Sequence, residues 1–234
     1  RYKRIFDFFL SFVILLPITL FLIPFLFLVW LQDFKNPLYI SNRVGHYKKK
    51  FPLIKVRSMI FDKNKNNVFS TAKDDKRITK IGKLIRKLKI DELSQIYNVL
   101  IGHMSFVGPR PNTFECGVEF YTTRELNLLN VRPGITDISS IVFSDEAEIL
   151  SNSKDPDNDY NILIRPWKSR LGLLYIDNCS LKLDLCLIII TMIAILNKKF
   201  SLKLLVMLVK KLDSSEDLIE TIHRKHEIKI IKPP

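Results

Sequence analysis

A long apolar segment near the start of the chain constrains the fold more than any other feature. From Phe8 to Leu31 no residue is charged, and a helix of that length, at about 1.5 Å per residue, exceeds the roughly 30 Å hydrocarbon core of a bilayer. Pro17 and Pro24 interrupt the segment, and each proline removes one backbone hydrogen bond and favours a bend. The sequence therefore predicts a membrane helix with at least one bend.

The charges on both sides of this segment bear on its topology. Basic residues flank it at both ends: Arg1, Lys3 and Arg4 precede it, and Lys35, Arg43, Lys48, Lys49 and Lys50 follow it. Positive flanks prefer the cytoplasm, and a full span would place one cluster on the opposite side. We therefore favour a re-entrant helix whose two ends lie on the same side. A kinked single-span anchor is the alternative, because prolines are tolerated in such helices.

The charge balance narrows the class of partner. The chain has 37 Lys+Arg against 24 Asp+Glu, a formal net charge of +13, which suits nucleic acid, anionic lipid or a phosphorylated substrate. Beside a membrane segment, lipid and phosphate rank above nucleic acid. No recognised nucleic-acid-binding motif is present in the sequence, so we expect no nucleic-acid partner.

The pattern after residue 35 predicts an α+β, predominantly helical domain. Two extended runs, residues 37–40 and 51–57, predict a small hairpin. A stripe of apolar residues from Ile78 to Leu88 predicts a basic amphipathic helix, and a second helix is expected to begin at Asp91 and end at Gly102. We assign residues 1–35 to the membrane helix, 36–200 to a cytoplasm-facing domain and 201–234 to a C-terminal interfacial helix and charged tail.

Two further apolar runs, residues 185–196 and 204–209, are too short to span a bilayer. Lysines flank the second run, and apolar faces edged by lysine suit helices that lie in the membrane interface. Burial in the protein's own core is the alternative for both runs.

Two adjacent carboxylates mark the candidate site. Asp91 and Glu92 follow the basic helix, and a carboxylate among cations stays ionised and can act as a nucleophile or metal ligand. A helix N-terminus attracts phosphate, and a second carboxylate invites a divalent cation. The stiff turn at residues 107–111 restricts Arg110, which can hold a phosphate through bidentate bonds. These residues predict a phosphate-handling site beside a membrane. The alternative is that Asp91 only caps the helix.

The order of short motifs adds a resemblance to a known family. The matching runs are residues 3–7, 43–45, 55–59, 91–100, 102–111, 132–136 and 180–185. Together they resemble the bacterial sugar transferase family, in its small single-domain branch of monotopic polyprenyl-phosphate phosphoglycosyl transferases. The runs extend from residue 3 to about residue 196, and the stretch 91–111 is the most specific.

The resemblance implies a reaction and assigns residues to it. In this family an aspartate attacks the β-phosphate of a UDP-sugar and expels UMP, and polyprenyl phosphate then carries off the sugar phosphate. By this likeness Asp91 is the nucleophile, Glu92 holds the metal or positions the acceptor, and Mg²⁺ is the cofactor, with both carboxylates as expected metal ligands. The expected substrate-binding residues are Lys55, Arg57, Arg86, Arg110, Pro111 and Arg132.

The resemblance also implies where the protein works. It predicts a monotopic domain on the cytoplasmic side of the bacterial inner membrane, seated among phospholipids by the re-entrant helix and interfacial amphipathic helices. The expected role is the first membrane step of surface glycan assembly, such as exopolysaccharide or lipopolysaccharide. The sugar, the prenyl length and the oligomeric state, a homodimer included, stay open. A catalytically inactive membrane scaffold with the same fold is the alternative function.

Two segments depart from the family pattern. The family's membrane helix breaks at a Ser-Pro pair, whereas Leu16 and Ile23 precede the prolines here, so either Pro17 or Pro24 can make the break. After Thr136 the family commonly continues with Gly-Trp or Gly-Leu, whereas residues 137–143 read Asp-Ile-Ser-Ser-Ile-Val-Phe. If that segment touches the nucleotide or sugar, we expect an altered specificity.

Overall fold

A computed structural model describes residues 2–60, 75–115, 117–151, 153–212, 215–224 and 228–234, most of which are helical. The helices are α1 (Tyr2–Leu31), α2 (Lys80–Lys87), α3 (Ile90–Leu93), α4 (Ile96–Leu100), α5 (Ile138–Val142), α6 (Glu146–Ile149), α7 (Pro156–Asp159), α8 (Arg165–Asp177), α9 (Leu181–Leu196), α10 (Lys198–Lys210) and α11 (Glu216–His223). The strands are β1 (Leu38–Val44), β2 (Lys50–Val56), β3 (Ser105–Val107) and β4 (Gly134–Thr136). The predominantly helical fold with a small sheet confirms the coarse prediction.

The apolar segment forms one continuous helix, α1, of 30 residues with both prolines inside it. At about 1.5 Å per residue α1 is roughly 45 Å long. Within the described part of the chain it alone is long and apolar enough to cross a membrane. Most of its apolar side chains are exposed, and only a narrow stripe that includes Leu22 and Val29 is buried. The exposed surface is of the kind that a lipid environment would cover.

Polar contacts attach α1 to the rest of the protein at its two ends and near its middle. Near the start, Lys3 Nζ lies 2.5 Å from Asp184 Oδ2. Further along, the hydroxyls of Thr19 and Tyr97 are 2.7 Å apart. Just past the end, Asp33 pairs with Arg57, whose Nη1 lies 2.5 Å from Asp33 Oδ2. The helix is thus fixed along its length to one folded body.

The predicted hairpin is confirmed. Strands β1 and β2 pair antiparallel, with Ile40 opposite Ile54 and Val44 opposite Lys50. The side chain of Asn98 in α4 covers the other edge of β2: its Nδ2 donates to Pro52 O at 2.7 Å, and its Oδ1 accepts from Ile54 N at 3.1 Å. A proline fits at this place in β2 because its missing N–H is not needed for pairing with β1.

Strands β3 and β4 form a second, parallel pair that brings two distant turns together. Gly108 N donates to Thr136 O at 3.0 Å, and Gly134 N donates to Pro109 O at 3.1 Å. The two backbones approach so closely that a Cβ atom on Gly108 would lie 2.4 Å from Arg132 O. Glycine is therefore required at this crossing, which holds the turn that carries Arg110.

The largest core lies between the C-terminal helices, where residues of α5, α8, α9, α10 and α11 pack together. A smaller apolar cluster joins α1 to the site region through Leu22, Val29, Val56, Ile85 and Ile90. The apolar helix α9 has two faces, one buried and one exposed; its exposed side chains include Leu185, Ile189 and Met192. For residues 185–196 we predicted either an interfacial helix or burial in the core. One face of α9 is buried in the core, and the other face is exposed.

Candidate active site

The acidic pair lies on a short helical turn that follows a sharp reversal of the chain. Lys89 adopts the left-handed conformation, with φ of 57°, between α2 and α3. Ile90 begins α3 and is buried against α1 and α2. Lys89 occupies the N-cap position, and Asp91 lies inside the first turn. The capping alternative for Asp91 is therefore wrong, and the helix expected from Asp91 to Gly102 is broken at Ser94 and Gln95 into α3 and α4.

Asp91 is half-buried, and its Oδ1 atom is buried without a hydrogen-bond partner among the described residues. Burial raises the pKa of this carboxyl group, and the neighbouring Glu92 carboxylate raises it further. The cations Lys55, Lys89 and Arg86 act in the opposite direction. A desolvated carboxylate oxygen that faces positive charge and has no partner is available to a substrate or a cation.

Glu92, in contrast, is held on both oxygens. Arg110 donates to Glu92 Oε1 through Nη2 and to Oε2 through Nη1, the latter at 3.3 Å. Lys55 Nζ lies 3.9 Å from Oε1. Burial alone would raise the pKa of Glu92, but the charges of Arg110, Lys55 and Lys89 outweigh burial and hold the pKa well below its ordinary value. Glu92 is therefore the ionised partner of a fixed cation pair.

Arg86 completes the cationic side of the site. Its Nε donates to Ser58 Oγ at 3.0 Å, and its charge acts on Asp91. The close packing of α2 on residue 58 sets this position, because a Cβ atom on Gly82 would lie 1.9 Å from Ser58 O. Of the predicted site residues, the structure thus brings together Asp91, Glu92, Lys55, Arg86 and Arg110, with Pro111 directly after Arg110.

Two predicted phosphate contacts have other partners. Arg57 is buried and makes a bidentate pair with Asp33, at 2.5 and 2.6 Å, which lowers the pKa of Asp33 to about 2. Arg132 Nε donates to Gly102 O at 2.9 Å, at the opposite end of the α3–α4 segment from Asp91. In these positions both side chains hold the protein together, and their contact with a phosphate stays a prediction.

Sequence reasoning missed Asn98 and a second charged group near Arg110. Asn98 is fully buried and fixes β2, and hence Lys55, against α4. Glu146 and Lys168 form an ion pair whose charges act on Arg110. The sequence contains no spacing signal that links these positions, because the link depends on how α6 and α8 pack.

The two carboxylates of the acidic pair differ in how well they suit magnesium. In the described ranges no three His, Cys, Asp or Glu side chains cluster in a way that could hold a metal ion. Mg²⁺, however, commonly binds one or two carboxylates and takes its other ligands from water and substrate phosphates. Asp91 Oδ1 is an unpaired buried acceptor and suits this role, whereas both oxygens of Glu92 already accept hydrogen bonds from Arg110.

A carboxylate pair surrounded by cations, next to an exposed apolar helix, is the arrangement expected of an enzyme that handles phosphates at a membrane. A family model described as "Bacterial sugar transferase" matches residues 1–198. The chain belongs to this family, as its motifs predicted.

Individual relatives extend the comparison. The UDP-N-acetylgalactosamine-undecaprenyl-phosphate N-acetylgalactosaminephosphotransferase of Aeromonas hydrophila is 33% identical over 165 residues, covering 68% of this chain and 35% of that protein. The UDP-glucose:undecaprenyl-phosphate glucose-1-phosphate transferase of Klebsiella pneumoniae is 31% identical over 193 residues, which cover 81% of this chain and 39% of that protein. The uncharacterized sugar transferase EpsL of Bacillus subtilis strain 168 is 35% identical over 191 residues, which cover 81% of this chain and 84% of that protein. The chain thus spans 35% and 39% of the lengths of the Aeromonas and Klebsiella proteins, whose names state a reaction.

Proposed function

We propose that this protein transfers a sugar 1-phosphate from a UDP-sugar to membrane polyprenyl phosphate, for which undecaprenyl phosphate is the candidate, and releases UMP. The names of the Aeromonas and Klebsiella relatives support this reaction class. The observation that carries the proposal is the contrast between the two carboxylates. Glu92 is held by Arg110, whereas Asp91 presents an oxygen that has no hydrogen-bond partner in the described part of the chain.

The first step makes a bond to Asp91. A carboxylate oxygen of Asp91 attacks the β-phosphorus, the bond from that phosphorus to the bridging oxygen breaks, and UMP leaves with the electron pair. The charges of Lys55, Arg86 and Arg110 counter the negative charge that builds on the phosphoryl oxygens. Burial raises the pKa of Asp91, and the charges of Lys55 and Arg86 oppose this rise, so these two cations also favour the ionised form that the attack requires.

The second step releases the enzyme. A phosphate oxygen of polyprenyl phosphate attacks the phosphorus of the aspartyl phosphosugar, and the bond to the Asp91 oxygen breaks. The product is a polyprenyl diphosphate sugar, and Asp91 returns as a carboxylate. Glu92 acts throughout by holding Arg110 and Lys55 in place, since its two oxygens bind Arg110 and one of them faces Lys55.

Mg²⁺ is part of the proposal as a cofactor. Bound to the diphosphate, it would neutralise negative charge on the phosphoryl oxygens. Asp91 is the protein ligand that the geometry favours, because its Oδ1 atom lacks a partner. Glu92 would become a ligand only by giving up a hydrogen bond from Arg110.

We further propose that both ends of α1 lie on the cytoplasmic side of the inner membrane, in the re-entrant or in-plane manner of a monotopic protein. A straight span would put Lys3 and Asp33 on opposite sides of the bilayer. Their partners, Asp184 and Arg57, belong to one folded body, which a bilayer cannot divide. The exposed apolar face of α9 would then lie in the same interface, against phospholipid.

A single-turnover assay tests the chemistry. The purified protein is mixed with UDP-sugar labelled in the sugar, with Mg²⁺ and without acceptor. We expect UMP release and label retained on the protein, both lost in Asp91→Asn and both kept in Asp217→Asn, a matched change at an exposed helical aspartate. Addition of undecaprenyl phosphate should move the label into lipid. UMP release by Asp91→Asn at the wild-type rate would refute the covalent step, and a wild-type protein that releases no UMP from any donor would favour the inactive scaffold.

Cysteine labelling tests the topology. Cys116, Cys179 and Cys186 are the native cysteines and are replaced by serine. Single cysteines are then introduced at Tyr2 or Asn36, both exposed at the ends of α1. A membrane-impermeant maleimide should label neither position in intact spheroplasts and both positions in inverted vesicles. Labelling of the two positions from opposite sides would establish a span and exclude the monotopic arrangement.

A further inference from the structure

A half-buried lysine lies near the candidate active site without a part in the proposed chemistry. Lys168, on α8, pairs with Glu146 of α6, and its side chain is only 16% exposed. The Lys168 Nζ atom also lies 5.1 Å from the centroid of the Tyr160 ring. The three residues are called the Lys168 cluster below.

Arg110 connects this cluster to the acidic pair. The Arg110 guanidinium binds Glu92, and it interacts electrostatically with Glu146 and with Lys168. The cluster therefore lies within the electrostatic reach of the reaction centre. Glu92, the residue that follows the proposed nucleophile, and the Lys168 cluster thus both interact with Arg110.

The core holds the cluster in a defined position. Glu146 lies between the buried side chains of Phe143 and Leu150 in sequence, and Lys168 directly follows the buried Trp167. Tyr160 begins a π-helical turn that runs into α8, and such turns occur frequently at functional sites. Three elements thus converge on one polar group, and packing restrains each of them.

A purely structural role explains the cluster poorly. An ion pair that stays partly exposed to water adds little to stability, so a pair of apolar residues would hold α6 against α8 at least as well. Glu146 keeps a side-chain exposure of 32%. The pair therefore presents an ammonium donor and a carboxylate acceptor together, partly accessible and within electrostatic range of Arg110.

The part of the substrate that fits this group follows from its chemistry. The sugar is joined through its anomeric oxygen to the phosphorus that Asp91 would attack, so it has to lie next to the groups that hold that phosphate. Sugar hydroxyl and acylamino groups need a donor and an acceptor side by side. The prenyl chain of the acceptor is apolar, and the uracil base is separated from the β-phosphorus by a ribose and a further phosphate.

We propose that Lys168, Glu146 and Tyr160 form the subsite that selects the sugar of the UDP-sugar donor, through hydrogen bonds to its hydroxyl or acylamino groups. This assignment rests on the proposed function. Glu146 lies three residues after the segment 137–143, where the sequence departs from the common family pattern.

Donor profiling tests the assignment. The rate of UMP release is measured as kcat/KM for UDP-glucose, UDP-galactose, UDP-N-acetylglucosamine and UDP-N-acetylgalactosamine. The wild type is compared with Lys168→Met, Glu146→Gln, and Lys229→Met as the control. Lys229 pairs with Glu220 in an ion pair that is 60% and 56% exposed, so the control removes a similar pair that lies on the surface.

We expect Lys168→Met to change the ratio of kcat/KM between the best and the poorest donor by about tenfold or more, because a lost hydrogen bond penalises only the sugar that makes it. Glu146→Gln should change the ratio in the same direction, Lys168→Arg should restore part of it, and Lys229→Met should leave it unchanged. If Lys168→Met does not fold, the donor ratio of the isosteric Glu146→Gln variant tests the assignment instead.

An equal fall for all donors would mean that the cluster acts only through Arg110, and an unchanged profile would mean that it does not touch the sugar; either result overturns the assignment. A wild type that releases no UMP from any donor would instead refute the proposed function, and this assignment with it.

Discussion

The contact between Asn98 and β2 predicts a large loss of stability from one substitution. The fully buried Asn98 side chain donates to Pro52 O at 2.7 Å and accepts from Ile54 N at 3.1 Å. Asn98→Ala leaves both backbone groups without a partner at the edge of β2 that α4 covers. Each unsatisfied group costs about 1–3 kcal/mol, so we expect the free energy of unfolding to fall by about 2–6 kcal/mol. For a chain of this size, at about 2–4 °C per kcal/mol, this corresponds to a melting temperature lower by about 4–24 °C.

Thermal unfolding in detergent, followed by circular dichroism, measures this loss. Asn130→Ala is the matched control, because the Asn130 side chain is exposed and makes one amide contact, at 3.2 Å to Asn127; it should change stability by less than about 0.5 kcal/mol. Asn98→Ala should also weaken UDP-sugar binding, because Lys55 follows Ile54 on the strand that is released. A melting temperature of Asn98→Ala within about 2 °C of wild type would refute the claim that Asn98 fixes β2 in place.

Two further changes test the positions of the cations. Gly82→Ala places a Cβ atom 1.9 Å from Ser58 O, so α2 has to shift. We expect the free energy of unfolding, measured with denaturant, to fall by about 1–3 kcal/mol. Lys83→Ala, on the exposed face of α2, is the control and should leave this free energy nearly unchanged. Lys55→Met removes a charge that lowers the pKa of Asp91. The pKa of Asp91 should then rise further, so the acid limb of the kcat/KM profile for UMP release should move to higher pH, and Lys55→Arg should move it back. An acid limb that stays in place in Lys55→Met would show that another group controls it.

The acidic pair and the hairpin could be predicted because their signals are local. Asp91 and Glu92 stand in a run whose charge pattern and motif are visible within about twenty residues, and the strands of the hairpin are adjacent in sequence. The β3–β4 pair could not be predicted in the same way. It joins Ser105 to Gly134 through strands of three residues, which is too short for a periodic pattern to appear.

Arg57 and Arg132 show that a positive charge in the sequence does not by itself predict a contact with phosphate. Sequence gives the charge of Arg57 and Arg132 but not their partners, and in the fold Arg57 holds Asp33 while Arg132 binds Gly102 O. Arg110 differs because two prolines fix its backbone and Glu92 fixes its guanidinium. A basic residue becomes part of a site only when the packing of its own element leaves it facing that site.

The position of Ile90 links the membrane helix to the reaction. Ile90 packs in one apolar cluster with Leu22 and Val29 of α1, and Asp91 is the next residue in the chain. Under the proposed function, a prenyl phosphate with its tail in the bilayer beside α1 would reach the acidic pair at the membrane surface. The same closeness to apolar surface removes water from Asp91 and raises its pKa, which alone would weaken it as a nucleophile. Under the same proposal, the cations around Asp91 have a second effect beyond binding phosphate, because their charges oppose the rise in the pKa of Asp91 and favour its ionised form.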